Sequence, residues 1–375
     1  MSKDLIYLDY NANCPIFDDV KVEVMRNLNL FGNPSAIHSL GKNINETIEA
    51  SRTLILKFFN AIDSKVIFTS SGTESNNLIL KKIKNIDYFL TSSIEHYSVL
   101  NVRDDFQLIN VNPDGLVDLE DLEKKLRELN SKKFLISIML VNNENGVIQP
   151  IKEISKIVKK YGGFIHCDAA QAIGKMNLNF DKLGIDSMTL SSHKFGGPIG
   201  VSGLIIKNHI KVDELLSGGD QEYSLRSGSV NFILIPPFAK ALEYTKSDEY
   251  KDNLAKIFNW REWFENNLKK IAQNAIIFGK NAPRLGNVTQ FCIPGVQSEN
   301  IIFSMDVDNI MVSSGSSCSS KVKKESHVLR AMNFSKQISS NSIRVSWGWK
   351  SKKEELSIFL DKMKKIVLSY NKKAA

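Results

Sequence analysis

The chain reads as an α/β protein: a mostly parallel sheet with helices on both faces, followed by a smaller α+β domain. Three observations predict this. From residue 60 onward, short apolar runs alternate with amphipathic ones. Runs such as Phe134 to Val141 are apolar nearly throughout, the pattern of strands covered on both faces. After Pro236-Pro237 the alternation gives way to long polar helices and a second set of short strands. With 375 residues there is length enough for two domains sharing a large core.

In order, Val66-Ile67-Phe68 reads as a strand and Ser75 to Lys82 as the start of a helix. Ile86 to Leu90 and Gln107 to Val111 are strand-like, and Asp118 is a good N-cap for the charged helix Leu119 to Leu129. Phe134 to Val141 has buried-strand length. Ile151, Ile154, Ile157, Val158 and Tyr161 recur at helical spacing, before a strand ending in Asp168. Ile185 to Leu190 is a further strand. Phe238 to Ile271 reads as helices, and Val288 to Ile293 and Ile343 to Val345 as the strands of the smaller domain.

Composition narrows the function classes. Hydrophobic residues at 42% and charged residues at 24% are ordinary for a soluble globular protein. No run reaches the ~18 apolar residues of a membrane span, and Met1-Ser2-Lys3-Asp4 lacks a signal peptide's apolar core, so a cytoplasmic protein with no membrane partner is expected. Cys14, Cys167, Cys292 and Cys318 are far apart, with neither zinc-ligand spacing nor a disulfide framework, and no metal is expected. Cys167 and Cys292 sit in apolar runs and read as inert; Cys14, beside Pro15, reads either way. The net charge of +8 comes from lysines scattered over helical faces, so direct nucleic-acid binding is not expected.

Ligands of such sheets bind beyond the carboxyl ends of the strands, where Asn143, Asp168 and Lys194 fall. Lys194 follows an apolar strand, with glycines behind it that allow close approach to a ligand. A lysine able to form a Schiff base, with an aspartate able to hold a pyridinium proton, is the protein's side of a pyridoxal phosphate site. Ser70-Ser71-Gly72-Thr73, between a strand and a helix, suits an anion. Cys318 lies among Gly315 and serines rather than apolar residues, a setting in which a thiol can be reached.

These stretches, with Leu8-Asp9-Tyr10-Asn11-Ala12, Asn33-Pro34-Ser35, Ser71-Gly72-Thr73-Glu74-Ser75-Asn76-Asn77, Glu95-His96, Asn142-Asn143-Glu144, Ser313 to Ser320 and Ser342-Ile343-Arg344-Val345-Ser346, resemble the cysteine desulfurases of the class V aminotransferase superfamily. The resemblance runs along nearly the whole chain. It implies a pyridoxal-phosphate-dependent transferase of fold type I with a seven-stranded sheet. It also implies a large cofactor domain over residues 13–250, and a small domain over 1–12 and 251–375 that carries the cysteine loop.

The site residues implied are Lys194, Cys318 and His96 for catalysis. For pyridoxal 5'-phosphate they are Lys194, Ser71, Gly72, Thr73, His96, Asn143, Asp168, Gln171, Ser191, His193 and Ser229, and for the substrate Arg344, Asn33 and Asn143. Within that set Asp168 pairs with the ring nitrogen, His96 stacks on the ring, and Arg344 grips the substrate carboxylate as a lysine would do less well. Ser229, where relatives have threonine, reaches the phosphate of a neighbouring subunit, so a homodimer is implied. In the implied chemistry Lys194 takes the α-proton of L-cysteine. Cys318 then attacks the substrate sulfur, keeps it as a persulfide for an acceptor protein of iron–sulfur assembly or thiolation, and alanine is released.

The resemblance has departures. Asn13 and Cys14 replace two threonines, Gly196-Gly197-Pro198-Ile199 replaces Tyr-Gly-Pro-Lys, and Trp347 to Ser351 departs from small-Gly-Arg-Phe-Thr. They bear on substrate fit and partner docking. The rivals are a selenocysteine lyase, another enzyme of the same superfamily such as an aminotransferase, and a non-catalytic scaffold that kept the fold. Intact Lys194, Asp168, His96, Arg344 and Cys318 argue against the last.

Overall fold

The computed structural model describes residues 5–129, 132–315 and 325–374. Eight strands come first: β1 (Ile6–Tyr7), β2 (Ser64–Thr69), β3 (Tyr88–Ser92), β4 (Gln107–Ile109), β5 (Phe134–Met139), β6 (Phe164–Asp168), β7 (Ser187–Ser191) and β8 (Ser202–Lys207). β2 to β8 form one sheet in the order β2-β8-β7-β6-β5-β3-β4. The pairs β3–β4, β3–β5, β5–β6 and β6–β7 are parallel, while β8 runs antiparallel to both β2 and β7. β8 is the strand that the alternation of the sequence did not single out.

Every residue of β5 and β7 is buried, which explains why those runs are apolar throughout. The helices covering the sheet start where capping chemistry places them. Asp118 accepts the N–H groups of Glu120 and Asp121 and opens Leu119–Glu128. Ser71 accepts the N–H of Glu74, so the next helix is Gly72–Lys82, three residues earlier than hydrophobic spacing indicates. Ile151–Lys160 buries Ile151, Ile154 and Val158, the expected apolar stripe.

Five further strands follow: β9 (Ile276–Ile277), β10 (Val288–Cys292), β11 (Ile310–Met311), β12 (Ser313–Ser314) and β13 (Ile343–Ser346). An antiparallel sheet has the order β12-β13-β10-β9, and β1 pairs with β11 in parallel. One apolar cluster gathers Ile6 and Leu8 with residues from Ile257 to Val367, around Phe264, Trp347 and Phe359. The cluster under the large sheet also takes in Phe278, Leu285, Val328 and Met332, so the later part of the chain packs directly on it. Among the described residues, no helix is long and apolar enough to cross a membrane.

Candidate active site

Three parallel strands end side by side on the same edge of the large sheet. β6 ends at Asp168, which is paired with Met139 of β5 and Thr189 of β7. Beyond β7 the chain turns through a short 3-10 helix, Ser192–Lys194, which delivers the Lys194 amine. Gly196 follows with φ +99, and Phe17 packs so closely over it that a Cβ there would clash. The Lys194 Nζ donates to the backbone carbonyls of Asn11 (2.9 Å) and Ala12 (2.8 Å).

Asp168 is held by neutral donors. Asn76 Nδ2 donates to Oδ2 at 2.9 Å, and the Ala170 N–H donates to Oδ1 at 3.0 Å. Among the described residues no salt bridge involves this nearly buried carboxylate, so no described cation matches its charge. A donor set of this kind fits a protonated ring nitrogen. Asn76 also donates to Ser98 Oγ at 2.9 Å, and Ser98 Oγ lies 2.8 Å from His96 Nδ1. One amide thereby ties the orientation of Asp168 to that of His96. Burial pushes His96 below the ordinary histidine range; Asp168 opposes this and Lys194 adds to it. Beneath, His166 bonds Ser187 and Asn76, and burial pushes it down to about 4, which leaves it neutral.

The sites expected for a phosphate fall near one another. Gly72, at the start of its helix, lies 3.6 Å from the Ser191 Cβ, measured from where its own Cβ would stand. Ser191 Oγ is 3.4 Å from His193 Nδ1, and burial followed by the charge of Lys194 pushes His193 down to about 4. Thr73 is exposed in the first turn, where helix N–H groups face outward. Ser229 is exposed and lines a cavity of about 370 Å³ with Ser70 and Arg226.

Gln171 donates to the Asn11 carbonyl at 2.9 Å, the same oxygen that receives Lys194. The Asn11 side chain donates to the Asn143 carbonyl at 3.1 Å, which also accepts from Arg344 Nη1 at 3.2 Å. Arg344 comes from β13 and lies opposite Gln290 and Ser313 in the small sheet. It is 2% exposed, and its Nη2 pairs with Asp9 at 2.7 Å. Lys194, Asn11, Asn143 and Arg344 thus form a continuous hydrogen-bonded path. Asn33 is not drawn into it: the residue is exposed, and its side chain accepts the N–H of Ser35 in its own turn.

Cys318 lies outside the described residues. The other three cysteines are buried. Burial pushes the thiols of Cys14 and Cys292 up to about 12 and about 11, and that of Cys167 well above its ordinary value. A buried, protonated thiol is a poor nucleophile.

Several polar residues of the site carry no sequence signal as single letters. Asn76, Asp9 and Glu144 belong to quoted stretches but gained a role only from their partners. Glu144 accepts from Gln290 (2.8 Å) and Ser326 (2.6 Å), and burial pushes its carboxyl up to about 7. The departures cluster as well. Cys14 donates its N–H to the His193 carbonyl, Trp349 Nε1 donates to the Pro15 carbonyl, and Trp349 packs on Phe17. Ile199 is exposed.

The family model for aminotransferase class-V matches residues 6–359. The cysteine desulfurase IscS of Dictyoglomus turgidum is 36% identical, over 96% of this chain and 94% of its own length. A crystallised NifS-like protein from Rickettsia africae superposes with a TM-score of 0.87 at 35% identity, covering 97% of this chain and 99% of that one. A structure of SspA in complex with cysteine matches with a TM-score of 0.78 at 26% identity, over 92% of this chain and 99% of that one.

Proposed function

Since the chain belongs to the class V aminotransferases, in their cysteine desulfurase branch, we propose how its residues divide the conversion of L-cysteine into L-alanine and transferable sulfur. Enzymes of this family depend in general on pyridoxal phosphate. The observation that carries the reading is the hydrogen-bonded path from Lys194 through Asn11 and Asn143 to Arg344, together with Asp168, which is held by neutral donors and forms no salt bridge among the described residues. On this reading Lys194 is the nucleophilic amine, Arg344 the carboxylate-binding guanidinium and Asp168 the partner of the ring nitrogen.

When bound, pyridoxal 5'-phosphate would supply a carbonyl for the substrate amine and a ring that draws electrons from Cα. Asp168 would hold the ring nitrogen, His96 the ring face and Gln171 the phenolic oxygen. Ser71, Gly72, Thr73, Ser191 and His193 would hold the phosphate, joined by Ser229 from a second copy of the chain.

Arg344 orients the substrate by its carboxylate, exchanging part of its bond to Asp9 for the substrate oxygens. Asn143, already bonded to Arg344 through its carbonyl, helps to fix that pose; Asn33, whose side chain accepts the Ser35 N–H, is assigned to the substrate side with it. Lys194 removes the α-proton and returns a proton as alanine forms. The Cys318 thiolate attacks the substrate sulfur, the bond from that sulfur to Cβ breaks with its electron pair staying on the carbon side, Cβ takes up a proton, and the sulfur remains on Cys318 as a persulfide. The burial of the other three thiols supports this role for Cys318. We further assign residues 13–250 to a cofactor-binding domain and 1–12 with 251–375 to a small domain. A homodimer and a sulfur-acceptor protein, of iron–sulfur assembly or of thiolation, complete the reading.

Cys318→Ser tests it. The variant should keep the visible absorbance of bound cofactor and still bind cysteine. Its persulfide formation from labelled cysteine should fall by at least about a hundredfold. Sulfur transfer at the wild-type rate would reject Cys318 as the nucleophile. Selenocysteine supplied beside cysteine separates a desulfurase from a selenocysteine lyase by relative rate.

A further inference from the structure

Next to Asn143, the Glu144 side chain is buried where three separated stretches of the chain meet. Its Oε2 accepts from Gln290 Nε2 of β10 at 2.8 Å and from Ser326 Oγ at 2.6 Å. Gly315 packs against the same atoms. A Cβ there would stand 2.9 Å from Glu144 Oε2 and 2.6 Å from Ser342 Oγ, and would run into Gln290 Nε2. Gly315 is not among the glycines with positive φ, so close approach rather than backbone conformation requires a glycine here. In the chain, Cys318 falls between Gly315 and Ser326.

The surroundings of Glu144 are themselves fixed. Asn142 Oδ1 accepts the N–H groups of Glu144 at 2.9 Å and Asn145 at 3.2 Å. The Asn143 carbonyl between them accepts from Arg344. In the small sheet, Gln290 and Ser313 are the register partners of Arg344. Ser326 Oγ, besides donating to Glu144, accepts the N–H of Leu329 and caps the helix His327–Ala331.

We propose that Glu144 is a positioning residue for the sulfur transfer: its buried carboxyl ties Gly315 and Ser326, on either side of Cys318 in the chain, to the loop that meets Arg344. This deepens the reading of Cys318 as the nucleophile and rests on it. Sulfur passes only when the thiol meets a substrate held by its carboxylate. A thiol on a chain fixed at both ends beside that carboxylate site has a higher effective concentration there than one whose ends can drift. Glu144 acts through Gly315 and Ser326 and does not touch the reacting atoms.

The test compares two rates in the full-length enzyme loaded with pyridoxal 5'-phosphate. One is persulfide formation from labelled cysteine in a single turnover. The other is exchange of the α-hydrogen of L-alanine for solvent deuterium, which calls on Lys194 and Arg344 and needs no thiol. In Glu144→Ala the ratio of the first rate to the second should fall at least about tenfold. Glu144→Gln keeps an acceptor oxygen for Ser326 and Gln290 and should bring the ratio back to within about threefold of the wild type. A merely structural role would lower both rates together and leave the ratio in place.

An unchanged ratio in Glu144→Ala would overturn the proposal, as would a Glu144→Gln ratio as low as that of the alanine variant. If Glu144→Ala does not fold, Ser326→Ala, which cuts one of the same hydrogen bonds, decides: a ratio lowered at least about threefold supports the proposal, and an unchanged one overturns it. Cys318→Ser separates the two possible failures. Persulfide formation at the wild-type rate in that variant would reject the reading of Cys318 and the role of Glu144 with it. Its loss there, beside an unchanged ratio in Glu144→Ala, would reject the role of Glu144 alone.

Discussion

The two sides of the site are built by different means. On the large-sheet side, Asp168 and Lys194 emerge from the ends of neighbouring strands, and parallel register alone sets them side by side. On the other side, Arg344 sits in an antiparallel strand of the small sheet and meets Asp9, 335 residues earlier, and Asn143, 201 residues earlier. The first side is positioned by local backbone geometry and tuned by a neutral amide, Asn76. The second is held by an ion pair between segments remote in the chain, its guanidinium buried and its carboxylate partly so. Burying a charge is tolerable only with a partner, so the placement of Arg344 depends on Asp9.

Of the residues that tune each side, the larger effect on ligand binding should come from the second side. Arg344→Lys replaces a planar fork by a point charge, at a cost of about 2 kcal/mol in carboxylate binding. Steady-state kinetics should show KM for cysteine rising roughly thirtyfold, with the visible absorbance of bound cofactor unchanged. If both parameters stay as in the wild type, the contrast between the two sides is broken.

A smaller effect is expected on the first side. Asn76→Ala removes one hydrogen bond to the Asp168 carboxylate and one to Ser98, worth about 1.5 kcal/mol. Absorbance titration should show cofactor affinity falling about tenfold, while KM for cysteine moves little. A change confined to KM would instead place Asn76 on the substrate side.

The same contrast explains what was legible in the sequence. β5 and β6 could be read because their runs are buried on both faces, and Asp168 and Lys194 because residues at the ends of such strands face the ligand edge. β8 escaped because Ser202-Gly203 at its start breaks the apolar signal, although the strand is buried almost throughout. The start of the helix at Gly72 was set by the Ser71 cap, which hydrophobic spacing does not register. Arg344 was placed only by resemblance, since nothing near it in the chain announces Asp9.

In the proposed mechanism one amine at the sheet edge holds the cofactor and performs the proton transfers that turn cysteine into alanine. Wild type and Lys194→Ala, each supplied with pyridoxal 5'-phosphate, dialysed and then given cysteine, test it most directly. The wild type should keep a visible absorbance band and form alanine, while the variant should lose the band and at least about a thousandfold of the rate. A variant that kept both, or a wild type that stayed colourless and formed no alanine, would contradict the account.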